Sequence, residues 1–123
     1  MCAVTRANTV IFKIVGHEEW AAACREGAFT GSPDDIRDGF IHLSSAVQVA
    51  GTAARHLKGI SNLTLVAFDE AALGEKLKWE PSRGGDLFPH LYGPLPTRLA
   101  LWAKPMPLGA DGVPEVPQDV ALC

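Results

Sequence analysis

The run TVIFKIV, residues 9 to 15, most narrows what this chain can fold into. It is dense in β-branched and aromatic residues, which suit a pleated, half-buried strand. HEEWAAACREG follows after one residue, Gly16, with acidic residues in its first turn and Gly27 just past its end, as a short helix requires. A strand feeding directly into a short helix predicts an α+β alternation. GAFTGSPDDIRDG then reads as turn chemistry, and Phe40 to Leu43 as a strand. Ser44 or Ser45 is placed to cap a following helix that runs to about Lys58 and stops at Gly59. The apolar residues Ala46, Val49, Ala50, Ala53 and Leu57 form one narrow, small-sided face of that helix, suited to close packing on a sheet. LTLVAFD and LKWEP are the next strands, joined by EAALGEK as a turn or helical turn, and RLALWAKPM is the last.

Among 123 residues, 47% apolar, there is material for one ordinary core, so a single domain over residues 9–106 is expected. Residues 1–8 read as an N-terminal extension. The Pro- and Gly-containing residues 107–123 read as a tail on the surface or without order, because Pro107, Gly109, Pro114 and Pro117 punctuate it and no periodicity runs through it. No internal repeat or interdomain linker is found.

A formal net charge of −3 excludes a general nucleic-acid binder, which needs a basic excess; an anionic ligand would depend on a few local Lys or Arg residues. The apolar run at the N-terminus is short and broken by Lys13, so no signal peptide or membrane span is expected and the chain reads as cytoplasmic. Cys2, Cys24 and Cys123 are odd in number and show neither C-x-x-C nor zinc spacing. The histidines form no H-x-x-H or H-E-x-x-H, so no metal site is expected, and His17 and His56 read as solvent-facing. Serine-hydrolase, P-loop and dinucleotide-binding motifs are absent.

Two polar constellations remain. In GFIHLSS, alternation places Phe40, His42 and Ser44 on one strand face, with His42 at a strand end beside a helix start, where an anion is favoured. The alternative is a buried histidine whose ring nitrogens find structural partners. The second, WEPSRGGDLFPHLYGPLP, reads as a loop that carries Glu80, Arg83, Asp86, His90 and Tyr92 on rigid punctuation, as binding loops do. Its alternative is an exposed Glu80–Arg83 ion pair beside a packed Ω-loop.

Taken together, IFKI, the Trp of the first helix, DGFIHLSSAVQV, LKWE and FPHLYGPL resemble the small bacterial and plant family of domain of unknown function 952, over about residues 10 to 106. That resemblance implies a fold similar to the ADP-ribosyltransferases: two small mixed or antiparallel sheets around a cleft, with two main helices. FIHLSSA also resembles the strand-to-helix segment of the tRNA 2′-phosphotransferases. On this resemblance Lys13 falls on the first cleft strand, His42 and Ser44 line the floor, and Glu80 is the cleft carboxylate. The chain lacks the superfamily's His-Gly-Thr, a clear Gln-x-Glu and an arginine-rich site, and fold alone does not carry function.

The resulting expectation is a cleft protein that binds an NAD-like or other phosphorylated nucleotide-ribose ligand, with transferase chemistry if it is an enzyme. Glu80 would stabilise an oxocarbenium-like charge and His90 would act as acid or base. Lys13 and Arg83 would hold phosphate oxygens, Tyr92 would stack on a ring, and His42 would orient a ribose or phosphate. No cofactor is assigned; NAD or a related nucleotide is the candidate ligand or substrate. A non-catalytic binding or interaction module on the same fold is the alternative, and a hydrolase built on His42 and His90 ranks below both because no nucleophile stands out.

Overall fold

The protein is described by a computed structural model that covers residues 9–117, apart from the Arg83 side chain. The elements run β1 (Val10–Gly16), α1 (His17–Glu26), β2 (Ala28–Phe29), α2 (Pro33–Asp38), β3 (Ile41–His42), β4 (Ser44–Ser45), α3 (Val49–His56), β5 (Leu63–Asp69), α4 (Glu70–Leu73), β6 (Leu77–Pro81), β7 (Leu87–Leu91), β8 (Leu95–Pro96) and β9 (Ala100–Met106). This is a small α+β domain with antiparallel sheets. One has the order β4-β1-β5-β9, a second β3-β7-β6, and a two-stranded ribbon pairs β2 with β8.

The four-stranded sheet is covered on both faces, which explains why β1 and β5 are apolar almost throughout. Ile11, Val15, Val66 and Phe68 point to one side, into a core with Trp20, Phe29, Ile41, Leu91 and Leu95. Phe12, Leu65 and Ala67 point to the other, against Val49 and Ala53 of α3 and Met106. Of the expected α3 face, Val49 and Ala53 are buried and Ala46 and Leu57 pack at its edge, whereas Ala50 is exposed. Alternation also places Lys13 on the first face, between Ile11 and Val15. A lysine there needs an anion, and the fold supplies one through a segment the sequence reading took for a turn.

That segment, Pro33–Asp38, is α2. Ser32 caps it, Pro33 opens it and the Asp35 side chain accepts from the Ser32 N–H, so local capping outweighs the turn-like composition. Ser44 and Ser45 do not cap α3. They pair with Phe12 and Ile11 as a short strand, and α3 starts at Val49. Gln48 holds the N-cap position without a side-chain cap bond; its side chain instead accepts from the Ser45 N–H and donates to the Leu87 carbonyl. FPHLY is not an Ω-loop, because Leu87–Leu91 forms the central strand between β3 and β6. The chain past Pro105 also folds back as far as it is described: Leu108 bridges Pro114, which is fully buried, and Val113 and Val116 pack on the second core. Apolar contact there overrides the proline and glycine punctuation; residues 118–123, like 1–8, lie outside the described part.

Candidate functional site

The three-stranded sheet has two unlike faces. Ile41, Leu91, Leu77 and Trp79 pack on the first core. On the opposite face the register sets His42 across from His90, with Glu80 and Tyr92 each two residues along from a partner of that row. Strand alternation therefore gathers Phe40, His42, Glu80, His90 and Tyr92 in one place although they come from two distant sequence motifs. The Phe40 ring stacks on His90 with centroids 4.0 Å apart, and lies 4.7 Å from His42 and 5.3 Å from Tyr92. The two imidazoles meet edge to face at 5.7 Å.

Both histidines border one cleft of about 330 Å³. Its walls come from β1 (Phe12, Lys13), the β3–β4 segment (His42, Ser44), α2 (Asp34, Asp35, Arg37, Asp38), α3 (Thr52, His56) and the β6–β7 hairpin (Ser82, Phe88, His90). His56 thus faces the cleft rather than only solvent. Ser44 is buried, its hydroxyl 3.4 Å from that of Thr52.

On one side of the cleft stands Glu80. Its Oε1 accepts from His90 Nδ1 at 2.8 Å and from the Tyr92 hydroxyl at 2.7 Å. These bonds, His90 first and Tyr92 second, hold the Glu80 pKa below its usual 4.5 against a smaller opposing effect of desolvation. Tyr92, bound to a carboxylate that resists a second negative charge, is raised above 10.0. A carboxylate only accepts, so Nδ1 carries the hydrogen of this bond. His90 itself is 5% exposed.

The opposite side is organised by Asp35, a residue that the sequence reading did not single out. Its carboxylate receives Lys13 Nζ at 3.0 and 3.2 Å, the Ser32 N–H at 2.9 Å, the His42 N–H at 3.0 Å and His42 Nδ1 at 2.6 Å. The Lys13 and Asp35 side chains are 6% and 2% exposed. Burial alone would raise the Asp35 pKa, but the His42 bond, the Lys13 charge and the backbone donors together outweigh it and hold it below 3.8. Burial also lowers the Lys13 pKa from 10.5, with Asp35 opposing. His42 Nε2 reaches Asp38 at 2.9 Å, and Asp38 is also bound by Arg37. The Arg37 bond is foremost in holding the Asp38 pKa below 3.8.

The expected roles therefore divide. His42, Ser44, Lys13 and His90 do share the cleft, but Lys13 is no phosphate donor: its three ammonium hydrogens have Asp35 and the His42 carbonyl as acceptors. Glu80 and Tyr92 are bound to one another on the same sheet face as His90 but are not among the residues that line the cleft. The Arg83 side chain lies outside the described part. The signals for the missed residues were present in part. SPDD is a capping sequence, and a lysine inside an apolar strand calls for a carboxylate. Nothing local marked Thr52 or His56 as cleft residues, because α3 enters the site only through tertiary packing. Among the described residues, no cluster of three or more His, Cys, Asp or Glu side chains is placed to hold a metal, and no helix is long and apolar enough to cross a membrane.

The chain resembles the crystal structure of protein CC0527 from Caulobacter crescentus with a TM-score of 0.89 and 48% identity, over 92% of this chain and 99% of that one. The solution NMR structure of the same protein gives 0.82 and 47%, over 93% and 98%. No curated protein matches. Residues 14–103, which hold the end of β1, both histidine motifs and most of β9, match the family model described as protein of unknown function, DUF952, and the chain belongs to that family.

Proposed function

We propose that the cleft takes one small hydroxyl-bearing ligand of nucleoside or nucleotide-ribose size and that His90 moves a proton to or from it. The observation that carries this reading is the Glu80–His90 pair, in which a carboxylate 2.8 Å from Nδ1 fixes the tautomer of an imidazole bordering the cleft. That is how a general base is oriented. A volume of about 330 Å³ is near the lower end of ligand sites, about 300–1,000 Å³, and suits one sugar or nucleoside better than a whole dinucleotide. The ADP-ribosyltransferase-like part of the reading is supported by walls drawn from both larger sheets. Within it Glu80 acts through His90 and not as the carboxylate beside a ribose cation. The ligand's phosphates, if it has them, extend outward, since Lys13 is occupied by Asp35.

A thermal-shift panel of adenosine, AMP, ADP-ribose, NAD and nicotinamide tests this, because a ligand present at a hundred times its Kd adds about 2.7 kcal/mol to the native state. At least one ribose-containing member should raise Tm. Turnover of that compound should be abolished by His90→Gln with binding largely kept. A panel that leaves Tm unmoved overturns the nucleotide reading. The second reading, a binding module without catalysis, is favoured by the saturation of Lys13 and His42 with structural partners. It corresponds to binding without product in either variant.

A further inference from the structure

The wall of the cleft formed by α2 is held in an unusual way. Of its six residues only Asp35 is buried, while Ile36, its one aliphatic residue, is 68% exposed. Apolar packing therefore contributes little to holding α2 against the sheets, and polar contacts do the work. An element attached like this belongs to the low-stability end of a fold. Its two ends are glycines in the left-handed region, Gly31 at φ 122° and Gly39 at φ 87°, where a side chain would be strained.

The contacts that fasten it converge on His42. Nδ1 faces the buried Asp35 at 2.6 Å and Nε2 faces the half-exposed Asp38 at 2.9 Å. Carboxylates only accept, so both are hydrogen bonds at once only when both ring nitrogens carry hydrogen. The other groups around the ring do not replace either bond. Lys13 donates to the His42 carbonyl from β1, the His90 ring lies edge-on from β7 with Glu80 beyond it on β6, and Arg37 shares Asp38 from α2 itself. Asp34 of α2 and His56 of α3 also line the cleft.

We propose that α2 is a proton-operated latch on the cleft: doubly protonated His42 clamps the middle and the C-terminal end of the helix through Asp35 and Asp38, and loss of one proton releases the Asp38 end. The proton leaves from Nε2 to solvent, because Nδ1–H is retained by the buried Asp35, which Lys13 and two backbone N–H groups keep in place. Asp38 then remains with Arg37, and the C-terminal turn of α2 gains freedom to move away from the cleft. Control of ligand entry by this motion rests on the proposed function of the cleft; the latch itself does not.

Backbone hydrogen exchange without ligand tests the latch separately. The reporter is the Gly39 N–H, bonded to the Asp35 carbonyl at the end of α2, and the control is the Gly27 N–H, bonded to Ala23 at the end of α1. After correction for intrinsic exchange, protection at Gly39 should fall by about tenfold as pH is raised and the Asp38 bond is given up, the scale of one lost charge-assisted hydrogen bond. Gly27 should show no such step. Asp38→Asn, an exposed change that leaves the Asp35 anchor intact, should abolish the step, because its amide can serve either form of the ring. A Gly39 protection independent of pH, or a step that survives in Asp38→Asn, overturns the latch. A clear step together with an unresponsive ligand panel would leave the latch standing and remove the nucleotide reading.

Discussion

His42 and His90, two of the three histidines that border the cleft, are each matched with carboxylate, yet the matching differs. Glu80 binds His90 at Nδ1 and is itself reached by Tyr92 from the surface. His42 has a carboxylate at each nitrogen, and one of these also binds a buried lysine. A ring with one fixed nitrogen can exchange a proton through the other. A ring with both nitrogens engaged is a fastener whose grip depends on its charge. Of the alternatives drawn for His42 in GFIHLSS, the structural one matches its ring nitrogens, which both find carboxylate partners.

The comparison breaks most severely at Asp35. Asp35→Asn leaves the Lys13 ammonium buried without a counter-charge, and removing one partner of a buried pair lowers stability by about 3–5 kcal/mol. Urea denaturation should show this as a lower midpoint with an unchanged slope. Replacing both partners, Lys13→Met with Asp35→Leu, should recover part of the loss and not all of it, because the Ser32 and His42 N–H groups would still lack their acceptor. A single substitution that leaves the midpoint unmoved would mean that the pair is solvated and that α2 is held in some other way.

Acid sharpens the same contrast with a smaller effect. The folded pKa of Asp35 lies below 3.8, so its contribution is fully present above about pH 5 and is lost as pH falls below 3.8 toward the folded value. Stability measured against pH should therefore decline in that acidic window, and more gently in Asp35→Asn, which has no proton to take up at this position. Equal acid slopes in the two proteins would exclude Asp35 as the group responsible.

What could be read from the sequence follows the range of the forces involved. The strand runs in β1, β5 and β9 and the helix α1 were visible because propensity, pattern and caps agree there. The faces of β3 and β6 were visible too: alternation alone places His42 with Phe40 and Ser44, and Leu77 with Trp79. Composition misled at α2, where the SPDD cap sits among turn-forming residues, and at β7, where Pro89 and the flanking glycines suggested a loop. Pro89 is tolerated in a central strand here although it lacks an N–H; its carbonyl accepts from Leu43. The partnership of Lys13 with Asp35 spans 22 residues and could not be read from either motif alone. Neither could the turning of Glu80 toward His90, since strand parity gives a face and not a partner.

The smallest expected effect isolates the other half of the comparison. The chain contains a single tyrosine, so the tyrosinate absorbance of the folded protein reports Tyr92 alone. Its hydroxyl donates to Glu80 at 2.7 Å, and that bond, with desolvation and the carboxylate charge behind it, raises its pKa above 10.0. Glu80→Gln removes the charge and keeps most of the shape, so the Tyr92 titration should move back toward its ordinary value while thermal stability changes little, as for other exposed pairs. The sign is fixed by the raised pKa: whatever the contact contributes is complete below the ordinary tyrosine value and disappears as pH rises through the folded one. In the same variant His90 loses the charged partner at Nδ1, and the amide can accept from or donate to that nitrogen, so the preference for one tautomer weakens. Nitrogen chemical shifts of the His90 ring should then show a mixture where the parent protein shows Nδ1–H. An unmoved Tyr92 titration with an unmixed His90 ring would mean that Glu80 binds neither group in solution, and the difference between the two histidines would rest on His42 alone.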